Sequence, residues 1–144
     1  MMSFEQHLRE KHLKITPQRI AMLNQIEHNG HMSVEEIYEQ IKSIYPSISL
    51  ATIYKNVSAL CEANILREIK APKDKQRYEL SSDKHLHAYC EICGELKDIK
   101  LETSHLKSDC KEKTGYEIFD ISAVLIGLCP TCKANPKKLS LSLD

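Results

Sequence analysis

The chain has 144 residues, and its 20 Lys and Arg balance its 20 Asp and Glu to a formal net charge of zero. With 28% charged and 42% hydrophobic residues, it reads as a soluble globular protein of one domain or two small ones. No apolar run reaches the ~18 residues that a membrane-spanning helix needs, and the opening M-M-S-F-E-Q-H-L-R-E has no signal-peptide core. The expected location is therefore the cytoplasm, where six cysteines stay reduced and paired spacing favours metal over disulfide. Zero net charge weighs against nucleic acid, yet it hides two basic clusters. Arg9, Lys11, Lys14 and Arg19 form one, and Arg67, Lys70, Lys73, Lys75 and Arg77 form the other.

In chain order, residues 4–13 read as a short helix with Phe4, Leu8 and His12 on one face. Thr16 can cap a second helix whose first turn takes Pro17. That helix carries Ile20, Leu23 and Ile26 inward and ends near Asn29-Gly30. Ser33 and Glu36 have the form of a capping box, and Val34, Ile37, Tyr38, Ile41 and Ile44 follow at helical spacing until Tyr45-Pro46 stops them. A third long helix opens near Ser49. Ile53, Val57, Leu60 and Cys61 form its buried side, while Thr52, Tyr54, Lys55 and Asn56 offer groups able to reach base edges and phosphates. Residues 65–69 and 76–80 are β-prone runs joined by a basic turn, which reads as a hairpin wing along a phosphate backbone. Helix-turn-helix plus wing makes double-stranded DNA the leading partner.

The pattern changes near Ser81-Ser82-Asp83, which sets a winged-helix domain at residues 1–81, a hinge at 82–84 and a second domain at 85–144. Residues 85–90 and 95–99 read as strands around a turn at Gly94. Residues 103–113 read as a helix ending at Thr114-Gly115. The β-branched stretch 116–128 leads to Cys129-Pro130-Thr131-Cys132, and the polar tail 133–144 is expected to be loosely ordered, with Leu139, Leu141 and Leu143 spaced for a sheet edge. Such a domain buries little core alone, so metal and dimerisation would both help it.

Two metal sites are legible. Cys90, Cys93, Cys129 and Cys132 form C-x2-C…C-x2-C, a closed tetrahedral thiolate set. His85 and His87 stand at strand spacing, with both imidazoles on one face, and would add too many donors to one zinc. A separate nitrogen and oxygen site on those histidines is expected. Cys61 and Cys110 read as small apolar side chains.

The chain resembles the ferric uptake regulator family along nearly its whole length. The matching pieces are Thr16-Pro17-Gln18-Arg19, the string S-L-A-T-I-Y-K-N-V from Ser49 to Val57, the H-x-H-x2-C-x2-C block from His85 to Cys93, and the pair Cys129 and Cys132. The resemblance implies an α+β fold: a winged helix-turn-helix followed by a small α/β dimerisation domain, assembled as a homodimer. It implies structural Zn(II) on the four cysteines, and Fe(II) or Mn(II) on His31, Glu79, His85, His87 and Asp98. It also places Tyr54 and Lys55 in the major groove and Lys14 near the minor groove.

Within the family, Asp98 points to the peroxide-responsive branch, since iron sensors usually carry Glu there. Peroxide would then oxidise a ligand, His31 or His85, and release DNA. Glu79 runs against this, because peroxide sensors commonly carry Asp there, and the alternative is an iron-availability repressor. Two other classes fit less well. A zinc enzyme needs an open coordination position, which four thiolates would close, and the nucleobase-deaminase order H-x-E with P-C-x2-C is not met. A rubredoxin-like electron carrier would hold iron on the same four thiolates.

Overall fold

The computed structural model describes residues 3–72, 75–81 and 86–135. The chain divides into two compact units, Met1–Lys70 with Lys75–Lys84, and Ala71–Asp74 with His85–Asp144. Together they make a mixed α+β protein.

Local capping sets the helices of the first unit. In α1 (Phe4–Glu10), Ser3 and Gln6 exchange a reciprocal capping box. In α2 (Pro17–Asn29), Thr16 accepts from the Arg19 amide and Pro17 occupies the first turn. In α3 (Val34–Ile44), Ser33 and Glu36 form a second capping box, and Ser49 caps α4 (Leu50–Glu62) through the Thr52 amide. His12 is not part of the first helix: α1 ends at Glu10, and His12 sits at φ 59° in the turn beyond it.

The three long helices converge on one core. Met22, Leu23 and Ile26 of α2, Ile37 and Ile41 of α3, and Ile53, Val57 and Leu60 of α4 are buried together with Leu8, Ile65, Leu66 and Leu80. Each such side chain contributes about 1.5–3 kcal/mol by leaving water. Cys61 is only half-buried at the margin of this cluster.

Against the core lies a sheet of order β1-β3-β2. The wing is β2 (Leu66–Ile69) and β3 (Arg77–Leu80), paired antiparallel with Arg67 opposite Glu79 and Glu68 opposite Tyr78. Lys73 and Asp74 of the wing's turn, and the hinge at 82–84, lie outside the described residues. The third strand, β1 (Met32–Ser33), is an addition to the sequence reading. Met32 pairs with Tyr78 and Ser33 with Arg77, so Ser33 both ends a strand and caps α3.

The second unit is a sheet of order β5-β4-β6. β4 (Leu86–Cys90) is central, antiparallel to β5 (Leu96–Ile99) and parallel to β6 (Val124–Gly127). Between β5 and β6 runs α5 (Ser104–Thr114), closed by Gly115 in the left-handed conformation and carrying no buried residue. The β-prone run expected over 116–128 is a strand only at Val124–Gly127. Tyr116 and Phe119 are exposed, and β propensity there has no partner strand among the described residues. A final turn, α6 (Pro130–Lys133), follows Cys129, and the tail from residue 136 onward lies outside the described residues.

Candidate metal centres and nucleic-acid face

The four paired cysteines converge within the second unit. Cys90 ends β4, and a tight turn carries the chain back to Cys93. Gly94 adopts φ 76° there, a conformation that a side chain would strain, and its amide donates to the Cys90 carbonyl at 3.0 Å. The second pair is fixed by α6: Pro130 starts the turn, and the Cys132 amide donates to Cys129 Sγ at 3.4 Å. The four Sγ atoms lie within 4.8 Å of one another, and Cys93 and Cys129 are 3.8 Å apart. Four sulfurs at ~2.3 Å from a central tetrahedral zinc are separated by roughly 3.8 Å, whereas a disulfide needs about 2.05 Å. All four cysteines are free thiols.

Their ionisation is divided. Amides of Cys93 and Cys129 draw the Cys90 thiol down to about 6. The Glu95 amide draws Cys93 down, but the Cys90 sulfur, burial and the Cys129 sulfur outweigh it, so Cys93 ends above its usual value. Burial, then the neighbouring sulfurs, push Cys132 up to about 12. Four thiolates cannot share this space without a cation, and a divalent ion supplies the missing charge.

The remaining sequence-derived ligands fall in both units. In the second, His87 and Asp98 are register partners on β4 and β5, with His87 Nε2 3.4 Å from Asp98 Oδ1. His87 is buried at 3% exposure, while Asp98 is 40% exposed. In the first, Glu79 of β3 is fully buried, and its Oε1 accepts from Arg67 Nε at 2.5 Å. His31 directly precedes β1, whose Met32 pairs with Tyr78, the chain neighbour of Glu79. Glu79 and Arg67 face each other across β3 and β2. His85 lies outside the described residues.

The expected nucleic-acid groups also lie in the first unit. Thr52, Tyr54 and Lys55 are exposed on α4, opposite the buried Ile53, Val57 and Leu60. Asn56 is half-buried and Lys14 is exposed. A groove of about 560 Å³, bordered by Lys14, Arg19, Ser49, Thr52 and Asn56, separates the start of α2 from the start of α4. Arg19 does not simply face solvent: its Nε donates to Asn56 Oδ1 and its Nη1 to the Lys14 carbonyl.

Sequence reasoning missed that second role of Arg19, and it counted Arg67 only in the basic cluster of the wing, not as the partner of Glu79. The signal for Arg67 was available, because in the hairpin register it stands opposite Glu79 with the opposite charge.

A winged helix with an exposed polar face on α4, joined to a small α/β unit that carries a cluster of four cysteines, defines a class: DNA-binding regulators with a built-in metal module. The sequence pattern of the ferric uptake regulator family matches residues 10–125. The chain is 33% identical over 138 residues to the ferric uptake regulation protein of Synechococcus elongatus, covering 91% of this chain and 93% of that one. It is 28% identical to the peroxide-responsive repressor PerR of Staphylococcus aureus, covering 88% and 86%. The fold matches the crystal structure of the Campylobacter jejuni peroxide stress regulator with a TM-score of 0.75 at 32% identity, over 91% of this chain and 100% of that one. The chain belongs to the ferric uptake regulator family, whose members are metal-responsive transcriptional regulators.

Proposed function

We propose that this chain is a homodimeric repressor that binds double-stranded operator DNA when a divalent cation is held between its two units, and that peroxide ends that binding. Cys90, Cys93, Cys129 and Cys132 would hold structural Zn(II), a closed crosslink for a unit with a small core. His31, Glu79, His85, His87 and Asp98 would hold Fe(II) or Mn(II), a donor set of imidazoles and carboxylates suited to these ions. Because His31 and Glu79 belong to one unit and the other three to the second, filling this site ties the units together. It switches the protein only if the tied arrangement binds the ion better than the untied one. Tied recognition helices would then meet successive major-groove faces roughly 34 Å apart. Thr52, Tyr54, Lys55 and Asn56 would face the bases and phosphates, with Lys14 and Arg19 at the edge of the same face.

The observation that carries this reading is the His87–Asp98 pair. A buried imidazole faces a carboxylate across adjacent strands, and this pairing supports a nitrogen and oxygen site there. Asp at position 98, where iron-sensing relatives usually carry Glu, favours the peroxide response, as does the similarity to the Campylobacter jejuni peroxide stress regulator. Bound Fe(II) would supply the reactivity toward peroxide. The products would be one oxygen on the His31 or His85 imidazole and one water, and the oxidised ring would no longer serve as a ligand.

The test is intact mass and peptide mapping after a slight excess of peroxide, with the Mn(II)-loaded form as control. One added oxygen on the His31 or His85 peptide, only with Fe(II) and with loss of DNA binding, is the expected result. No addition, or oxidation confined to cysteine, overturns the peroxide reading and leaves an iron-availability repressor. Glu79 favours that second reading, as does the similarity to the Synechococcus elongatus protein.

A further inference from the structure

We propose that Arg67 is the built-in competitor of the regulatory cation: it neutralises Glu79 in the metal-free protein and sets the threshold at which metal binds. The inference rests on Glu79 being a metal ligand, and it concerns what holds that ligand beforehand. Glu79 is fully buried on β3, while the Arg67 side chain opposite it on β2 is 14% exposed. An ionised carboxylate that far from water needs a compensating charge. Arg67 supplies it through a direct Nε to Oε1 hydrogen bond. The metal-free fold is therefore stable with Glu79 in its native place.

The same contact opposes metal. A divalent cation taken up by Glu79 would sit within a few ångströms of a guanidinium that never deprotonates. In a partly buried setting like charges repel far more than in water. His31 directly precedes β1, whose Met32 pairs with Tyr78, the chain neighbour of Glu79 on β3. Glu79 thus faces a cation on β2, while the candidate ligand His31 lies next to the start of β1 on the other side of β3. Arg67 lowers the affinity of the site without touching metal, and the metal-free and metal-bound states differ in which cation satisfies Glu79.

An orienting role for Arg67 predicts the opposite sign, since losing a partner that aims a ligand weakens metal binding by about 10–100-fold. The experiment is Mn(II) titration, by calorimetry, of the zinc-containing protein and its variants, with thermal unfolding of the Mn(II)-free forms alongside. Arg67→Gln keeps an N–H donor and removes the charge. It should bind Mn(II) about tenfold or more tightly, unfold at lower temperature without Mn(II), and regain stability with it. Arg67→Lys keeps the charge and should bind Mn(II) with an affinity close to the parent's. Glu79→Gln tests the underlying reading and should weaken Mn(II) binding strongly. If Glu79→Gln leaves the affinity unchanged, Glu79 is no ligand and the inference falls with that reading. If Glu79→Gln weakens binding but Arg67→Gln leaves it unchanged or weaker, the competitor role alone is overturned.

Discussion

Arg19 ties the approach to α2 to the recognition helix: its Nε donates to Asn56 Oδ1 at 2.8 Å and its Nη1 to the carbonyl of Lys14 at 2.8 Å. Asn56 in turn donates to the Thr52 carbonyl at 3.0 Å. One guanidinium therefore sets the spacing between the Lys14 segment and the exposed face of α4. A planar fork can do this and a lysine cannot. Arg19→Met, which removes both hydrogen bonds and the charge, should lower unfolding free energy by about 1–3 kcal/mol and weaken DNA binding while leaving its salt dependence intact. A phosphate contact would instead take about one unit off the salt slope. Anisotropy titrations at several salt concentrations distinguish the two.

The thiolate cage should carry the second unit. Leu86, Tyr89, Cys90, Leu96 and Cys132 are its buried apolar residues among those described, a small core for three strands and two helices. Cys129→Ser should abolish tight zinc and remove the unit's cooperative unfolding transition, while the helical core of the first unit still melts as a transition of its own. Zinc analysis and circular dichroism check both. Acidification should release zinc, because protons compete for the same sulfurs.

Alkaline pH should weaken the first unit through Cys61. Burial, then the Glu68 carboxylate, push its thiol from 9.0 up to about 11. Below pH 9.0 the thiol is protonated in both folded and unfolded chains and has no effect on the balance. Between there and about 11 the unfolded thiol ionises first, so stability falls as pH rises. Tyr78, also raised by burial and then by Glu68, adds a loss of the same sign above 10.0. Urea midpoints across pH 8–11 should decline, and Cys61→Ala should flatten the first part of the decline. The Cys61 thiol should also alkylate slowly at pH 8, since it is held protonated there.

Dimerisation should depend on β6. It is an edge strand of its sheet, with Leu125 47% and Ile126 54% exposed. Leu106, Tyr116 and Phe119 are exposed apolar residues of the same unit. Ile126→Glu should shift the protein to monomer in sedimentation velocity and lower its DNA affinity. A dimer unaffected by this change would place the interface elsewhere.

What the sequence revealed follows from how local each signal was. Thr16, Ser33 and Ser49 announce helices because a cap acts within three residues of itself. The cysteine pairs are legible for the same reason: each gap is one turn. β1 was invisible, since two residues form a strand only because Tyr78 and Arg77 arrive opposite them. Residues 116–123 misled in the other direction, having β propensity but no partner strand among the described residues. Of the proposed regulatory ligands, His85 and His87 were read from their spacing, whereas His31, Glu79 and Asp98 required the family resemblance. The pairing of Arg67 with Glu79 depended on hairpin register and is seen in the folded wing.

The most direct test of metal-gated DNA binding is fluorescence anisotropy on a duplex selected from a random pool, using zinc-containing protein with and without Mn(II). The account predicts that Mn(II) raises affinity by roughly 5–150-fold, the usual range of such coupling, and that Glu79→Gln abolishes the rise while leaving zinc content intact. Equal affinity with and without Mn(II), in a protein that binds Mn(II), would contradict it.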